Sequence, residues 1–246
     1  MSPPPLPHQM VLLDAVLDRV NVSATDGGFP PLVVFGLDGT LFDTRPRTLE
    51  ILRRFADAIE DSQPDVSETL RALGLHQMHH LVRDTLDACD ITDVATRRQI
   101  SAHWQALEHA EALLSYDEPQ AGAADFVREV HRAGAGVVYL TSRSRDSALL
   151  ATVEQLYDHG FPVGEAGVHL ALKPDPAQRD ENFKRTCLAN LARFGDLVAL
   201  FDADLFVCEM GRTYYPEATV ALLDAWETEL PTPQEGVSTI HDFRRG

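Results

Sequence analysis

The chain has 246 residues, enough for one sizeable hydrophobic core and a small second unit, and its composition (44% hydrophobic, 24% charged) is typical of a soluble globular protein. Asp and Glu number 38 against 21 Lys and Arg, a formal net charge of −17. That excess of acid disfavours nucleic acids and anionic membranes as partners, because binding to phosphate backbones depends on clustered basic residues.

The three cysteines, Cys89, Cys187 and Cys208, are widely spaced and form neither a metal-ligand pattern nor a disulfide framework. The start of the chain lacks the basic region of a signal peptide, and no apolar stretch is long enough to predict a membrane span. We therefore expect a cytoplasmic protein.

The first predicted elements lie in an N-terminal segment. Residues 1–7 are rich in proline and predict an irregular or polyproline-like start. Apolar residues from Val11 to Val20 recur at helical spacing and predict a short helix. Asp26-Gly27-Gly28 ends that helix, and Pro30-Pro31 leads into the first strand.

The first strand is predicted at Leu32 to Phe35, and a Gly-rich turn with an acid, Gly36 to Thr40, follows it. Ligands of open α/β sheets bind at the carboxyl ends of strands, so we expect Asp38 to project into a crevice. The backbone of Gly39 would then lie close to whatever is bound. Gly36 is unusual, because a carboxylate there would form a paired-acid site with Asp38, and glycine has no side chain.

Residues from about 47 to 114 predict helices throughout, with no convincing strand. Such an insert is too long for a plain crossover between two strands. It predicts a small helical subdomain, which we expect to act as a lid over the carboxyl end of the first strand.

After this insert the sequence alternates between strands and helices. The predicted strands are 137–140, 168–172, 197–201 and 219–223. Alternation of this kind predicts a parallel, doubly wound, Rossmann-like α/β sheet, here of five strands in the order 3-2-1-4-5. The predicted organisation is an N-terminal segment (1–31), an α/β core (32–44 and 116–246) and a helical unit (45–115).

Polar residues follow the predicted strands at what would be one rim of this sheet. Asp38 follows the first strand, Thr141-Ser142 the second, and Asp202 and Asp204 the fourth, while Lys184 begins the helix before the fourth strand. Acids that hold Mg²⁺, together with a hydroxyl, a lysine and backbone N–H groups that bind phosphate oxygens, suit phosphoryl chemistry.

Four segments resemble motifs of the haloacid dehalogenase-like (HAD) hydrolases. Residues 33–41, Val-Val-Phe-Gly-Leu-Asp-Gly-Thr-Leu, are similar to the first motif, hhhDxDGTL, with its leading aspartate replaced. Residues 139–143 resemble the second motif, 172–184 the third and 200–204 the fourth. Because the four occur in the right order around a helical insert, the resemblance is specific. It implies a HAD-like fold in which residues 45–115 are a C1-type cap.

The resemblance implies catalytic roles for three residues. Asp38 matches the general acid/base that protonates the leaving group and then activates water. Thr141 matches the phosphate-binding hydroxyl. Lys184 matches the motif lysine, for which Lys173 is the competing candidate.

The resemblance also implies a metal and a substrate contact. Mg²⁺ would be held by Asp38, through its backbone carbonyl, and by Asp202, with Asp204 as a second acid nearby. The candidates for substrate binding are Gly39, Thr40, Ser142 and Arg143. For Arg143, capping of the following helix is an equal alternative.

The departures from the family pattern concern the same chemistry. Gly36 occupies the position of the nucleophilic aspartate, which is also a metal ligand, so no aspartyl-phosphate forms by the usual route. Loss of a covalent nucleophile commonly costs on the order of 10³–10⁶ in kcat. Mg²⁺ should also bind more weakly with one carboxylate fewer. The fourth motif is followed by Leu205-Phe206-Val207, where related members carry polar groups.

Two functional hypotheses remain from the sequence. The first is a HAD-like phosphohydrolase scaffold with impaired catalysis that binds a small phosphorylated molecule or a protein partner. The alternative is a working Mg²⁺-dependent phosphatase in which water occupies the space left at Gly36 and Asp38 acts as general base.

Overall fold

The computed structural model of the chain describes residues 5–25, 28–79, 81–224 and 233–245. In chain order its helices and strands are α1 (Pro7–Thr25), β1 (Pro31–Gly36), β2 (Phe42–Asp43), α2 (Arg45–Ile59), α3 (Pro64–Arg71), α4 (Val82–Ala88), α5 (Val94–Leu107), β3 (Glu118–Pro119), α6 (Ala123–Arg132), β4 (Gly136–Ser144), α7 (Arg145–Asp158), β5 (Val168–Lys173), α8 (Asp180–Asn190), β6 (Asp196–Asp202), α9 (Leu205–Tyr214), β7 (Thr219–Leu223) and β8 (Val237–Ile240). The leading helix is 19 residues long rather than short. Residues 1–4 of the predicted Pro-rich start, and residues 26 and 27 of the predicted break, lie outside the described residues.

Six parallel strands form the main sheet, in the order β5-β4-β1-β6-β7-β8. The predicted parallel α/β fold and the order of the first five strands are confirmed. The predicted number of strands is wrong by one, because β8 adds a sixth strand beside β7. Only four residues, two of them Ser238 and Thr239, form β8, so its apolar pattern is too weak to indicate a strand.

Side chains of the central strands alternate between two hydrophobic cores, as the period of two of a β-strand requires. Val33 and Phe35 of β1 pack in the core that includes buried residues of α1, α6 and α7. Leu32 and Val34 pack in the opposite core, beside α8 and α9. Helices therefore cover both faces of the sheet, and the strand ends are open to a site.

The chain divides into two compact units, Met1–Phe42 with Pro119–Gly246, and Asp43–Glu118. The second unit holds α2 to α5 around its own apolar core. Two polar contacts are buried in this helical unit: Arg47 and Asp117 form an ion pair of 3.2 Å, and the Ser67 hydroxyl donates to the carbonyl of Ala56. The short strands β2 and β3 pair where the chain passes between the units. None of the described helices is both long enough and apolar enough to cross a membrane.

Candidate active site

The turn after β1 closes on itself through backbone hydrogen bonds. The Leu37 carbonyl accepts from the amides of Thr40, Leu41 and Phe42, and the Gly39 amide donates to the carbonyl of Phe42. Gly39 has a φ of +74°, a conformation that a residue with a Cβ rarely adopts. The amide of Gly39, which the sequence places next to a ligand, is therefore engaged within the turn.

Asp38 follows β1 and points at the end of β4. Its carboxylate accepts two close hydrogen bonds from Arg143, at 2.8 Å from Nη2 to Oδ1 and 3.0 Å from Nε to Oδ2. The Thr141 hydroxyl donates to Oδ2 at 3.2 Å. A fork of this kind is the strongest type of contact between a guanidinium and a carboxylate. Thr141, predicted to bind phosphate, is 2% exposed and contacts Asp38.

Arg143 is fully buried, and its guanidinium binds other side chains. Besides Asp38, it donates from Nη1 to Gln155 Oε1 at 2.7 Å and to Thr152 Oγ1 at 3.3 Å. Thr152 and Gln155 lie on the buried face of α7. Arg143 thus joins the turn after β1 to α7. Its neighbour Ser142 is half-buried.

Asp202, Asp204 and Lys184 form the second part of the rim. Lys184 Nζ, on α8, lies 3.5 Å from Asp202 Oδ1 and 3.6 Å from Asp204 Oδ2. Burial lowers the pKa of Lys184, but the charges of Asp202, Asp204 and Asp38 outweigh that effect, so the pKa lies above its usual value and the ammonium stays charged.

The carboxyl of Asp202 is more deeply buried than that of Asp204. Burial raises the pKa of Asp202 to about 6, although Lys184 opposes the shift. Asp202 Oδ1 accepts from the Asp204 amide at 2.9 Å, whereas Oδ2 is buried and accepts no hydrogen bond from the described residues. The Asp204 side chain is 45% exposed and caps α9 by accepting from the Phe206 amide.

The space beside Gly36, at the end of β1, is filled by side chains. A Cβ at this position would lie 2.6 Å from Thr40 Oγ1, 2.8 Å from Asp202 Oδ2 and 2.9 Å from Asp202 Cγ. Thr40 is fully buried, and its hydroxyl accepts from the Ala203 amide at 2.8 Å. The Thr40 hydroxyl, a predicted substrate contact, therefore binds the end of β6.

Lys173 does not share this arrangement with Lys184. It ends β5, at the edge of the sheet, and its ammonium lies 2.6 Å from Asp180 Oδ1. Of the two lysines that the sequence leaves open, Lys184 is the one beside Asp202 and Asp204.

Thr152 and Gln155 take part in the Arg143 network but are absent from the sequence prediction. The signal that could have found them is their place in the helical pattern, since they share a face with the buried Ala148, Ala151 and Leu156. Polar side chains on an otherwise apolar helix face need a partner.

Among the residues that the structure describes, no group of three or more His, Cys, Asp or Glu side chains could hold a metal ion.

Comparison with known proteins places the chain in a family. The model of the haloacid dehalogenase-like hydrolases, a hydrolase family, matches residues 30–185. This match spans more than half of the chain and includes the turn after β1, Arg143 and Lys184. A search of curated proteins gave no match. The chain belongs to the haloacid dehalogenase-like hydrolase family.

Solved structures similar to the chain have low sequence identity to it. The chain is similar to a HAD-superfamily hydrolase, subfamily IA, variant 1, from Geobacter sulfurreducens PCA, with 16% identity, a TM-score of 0.50 and coverage of 87% of this chain and 95% of that one. A HAD hydrolase, family IA, variant 3, from Entamoeba histolytica HM-1:IMSS has 14% identity, a TM-score of 0.49 and coverage of 87% and 93%. Protein Tyrosine Kinase A of Mycobacterium tuberculosis has 15% identity, a TM-score of 0.49 and coverage of 87% and 94%. At 16% identity and a TM-score of 0.50, the likeness to the Geobacter sulfurreducens structure shows the fold alone.

Proposed function

We propose that this HAD-family scaffold binds a small phosphate-bearing molecule or a protein partner at the rim and that its hydrolytic chemistry is impaired. The observation that carries the proposal is Gly36 with its surroundings. In our assignment Gly36 stands where the family has its nucleophilic aspartate, and the volume of a side chain there is taken by Asp202 and Thr40. Without a carboxylate at this point a covalent aspartyl-phosphate cannot form.

The engagement of Asp38 supports impaired chemistry. A general acid/base must give and take a proton at a reacting atom. Both carboxylate oxygens of Asp38 accept hydrogen bonds from Arg143, and one accepts from Thr141 as well. In this arrangement the carboxylate serves the ion pair, so we assign Asp38 a structural role beside its place at the rim.

A magnesium ion, which hydrolases of this family generally use, does not fit the residues present. Mg²⁺ requires near-octahedral coordination by oxygen atoms. Besides the Asp38 carbonyl, the assigned ligands are the carboxylates of Asp202 and Asp204, and the Lys184 ammonium lies within 3.6 Å of both. With Gly36 supplying no third carboxylate, we derive no catalytic step through a metal.

The alternative, a working phosphatase that uses water beside Gly36, is less well supported. The water would need the volume that the Asp202 carboxylate and the Thr40 hydroxyl occupy.

We also propose, from the sequence, that residues 45–115 are a C1-type cap that selects the ligand, that nucleic acids and membranes are not partners, and that the protein is cytoplasmic. Its three free thiols suit that compartment.

Hydrolysis of a generic aryl phosphate with Mg²⁺ tests the proposal. We expect wild type and Asp38→Ala to give the same background rate, because neither forms the covalent intermediate. A wild-type rate typical of enzymes that Asp38→Ala abolishes would favour the alternative.

Binding of inorganic phosphate, measured by calorimetry without added metal, tests the ligand class. We expect Lys184→Ala to lose phosphate binding, because phosphate would have to displace the half-exposed Asp204 from the Lys184 ammonium, and Lys173→Ala to keep it. If wild type binds no phosphate, a protein partner becomes the better assignment.

A further inference from the structure

The charges at the rim are already paired by side chains of the chain itself. Asp38 is matched by Arg143, whose guanidinium is completely buried and lies 2.8 Å from Asp38 Oδ1. A buried guanidinium is costly unless its charge and its donors are satisfied. Asp38, Gln155 and Thr152 satisfy them here.

Lys184 provides the second internal cation. Its side chain is 13% exposed, and its ammonium lies at nearly equal distances from Asp202 and Asp204. The deeply buried Asp202 is thereby matched by one positive charge, while the half-exposed Asp204 is stabilised by water and by the amide of α9 that it caps.

At Gly36, where a third carboxylate would stand, there is no space for a side chain. Gly36 contributes no oxygen atom, and Asp202 and Thr40 fill the volume next to its Cα. Asp202, Asp204 and Lys184 together carry one negative charge, against the two that a divalent cation would need for balance.

We propose that the Lys184 ammonium takes the place of a divalent cation beside Asp202 and Asp204, while the Arg143 guanidinium neutralises Asp38, so that this site is assembled and neutralised without metal. The inference rests on the proposed assignment of these residues to one site. Its test measures metal binding and stability rather than phosphate binding, so either proposal can fail without the other.

Replacement of the lysine tests the main claim. Wild type, Lys184→Met and the control Lys173→Met are melted with and without MgCl₂ or MnCl₂, and Mn²⁺ binding is measured by calorimetry. We expect no metal-dependent shift for wild type or Lys173→Met, because each keeps the Lys184 ammonium. Lys184→Met removes the charge that opposes the effect of burial on Asp202, so that Asp202 takes up a proton more readily. We expect this variant to melt lower, to recover in Mg²⁺ or Mn²⁺, which can displace that proton, and to gain at least roughly tenfold in Mn²⁺ affinity.

Two results would overturn the inference. One is stabilisation of wild type by millimolar Mg²⁺ or Mn²⁺, which would mean that the site accepts a metal despite the lysine. The other is a Lys184→Met protein that gains no metal affinity. If Lys184→Met does not fold, Lys184→Gln, which keeps a polar but uncharged side chain, is measured in its place.

A double-mutant cycle tests the arginine separately. Arg143→Met leaves Asp38 without its guanidinium, Asp38→Asn leaves the buried guanidinium without its carboxylate, and the double variant removes both charges. We expect the double variant to melt no lower than Arg143→Met alone. Arg145→Met is the control, because Arg145 is 58% exposed and pairs only loosely with Asp146. Additive losses at Arg143 and Asp38 would mean that the two are not a charge pair and would refute this part of the inference.

Discussion

Replacement of Gly36 by alanine should destabilise the protein although it adds a single methyl group. The new Cβ would lie 2.6–2.9 Å from atoms of Thr40 and Asp202, well inside ordinary van der Waals contact. Overpacking of this kind costs about 1–3 kcal/mol. Displacing Thr40 would also break its hydrogen bond with the Ala203 amide and leave a buried N–H unsatisfied, at about 1–3 kcal/mol. The lower entropy of an unfolded chain with alanine returns less than about 1 kcal/mol.

The expected net loss is therefore roughly 2–5 kcal/mol, or a fall in Tm of roughly 5–20 °C. Urea unfolding and thermal melting of Gly36→Ala against wild type give this value. Gly28→Ala is a matched control, because a Cβ at Gly28 meets no atom of the described residues within 4 Å. A Gly36→Ala protein as stable as Gly28→Ala would show that the space beside Gly36 is free, and the argument from crowding would fail.

Crowding beside Gly36 also affects the variant Gly36→Asp, which would restore the nucleophilic aspartate of the family. Gly36→Asp carries the same Cβ as Gly36→Ala and adds a carboxylate beside that of Asp202. We therefore expect it to be less stable than Gly36→Ala and to gain no phosphatase activity unless Asp202 is moved as well. A gain of several orders of magnitude in aryl phosphate hydrolysis by Gly36→Asp alone would contradict this reasoning.

The other predictions concern thiols, the helical unit and pH. Burial raises the pKa of Cys187 to about 11 and that of Cys208 well above the usual range, so alkylation of Cys187 in the native protein at pH 8 should be roughly 100-fold slower than in urea, and Cys208 should not react. Ser67→Ala should cost about 1 kcal/mol in urea unfolding, because it leaves the buried Ala56 carbonyl without its donor; equal stability would show that water replaces the hydroxyl. The folded protein holds the Asp202 proton up to about pH 6, whereas the unfolded chain releases it near pH 4. The protonated carboxyl therefore adds to the free energy of unfolding at pH 4, and this contribution is lost as the pH rises to 6. Wild type should thus lose about 3 kcal/mol relative to Asp202→Asn over that interval, and parallel pH profiles would refute the shift.

Much of the fold could be predicted because it depends on local patterns. Apolar runs such as Leu32–Phe35 and Thr219–Leu223 mark buried strands, and the helices between them imply parallel order. The strand β8 was not predicted, because Val237–Ile240 is short and half-buried and lies at the edge of the sheet beside β7. An edge strand of this kind owes its structure to pairing with β7 rather than to its own sequence.

The candidate site was predictable in its residue types and less so in its contacts. Strand ends bring Asp38, Thr141 and Asp202 to one rim whatever their side chains do, so their shared location follows from topology. The partner of Arg143 could not be predicted from topology. Sequence spacing cannot distinguish a guanidinium turned towards solvent from one buried against Asp38 and Gln155. The filling of the space at Gly36 likewise depends on side-chain positions from β6 that no local pattern specifies.

The division into two units has a consequence for how the chain folds. Asp43–Glu118 is continuous in sequence and closes on local contacts, so we expect it to form early, even during synthesis. The other unit is interrupted by it: Leu32 of β1 pairs with Gly136 on one side and Leu197 on the other, both far along the chain. The central strand must therefore wait, with its apolar residues unpaired, until most of the chain has been made. That interval is when we expect the protein to depend most on chaperones.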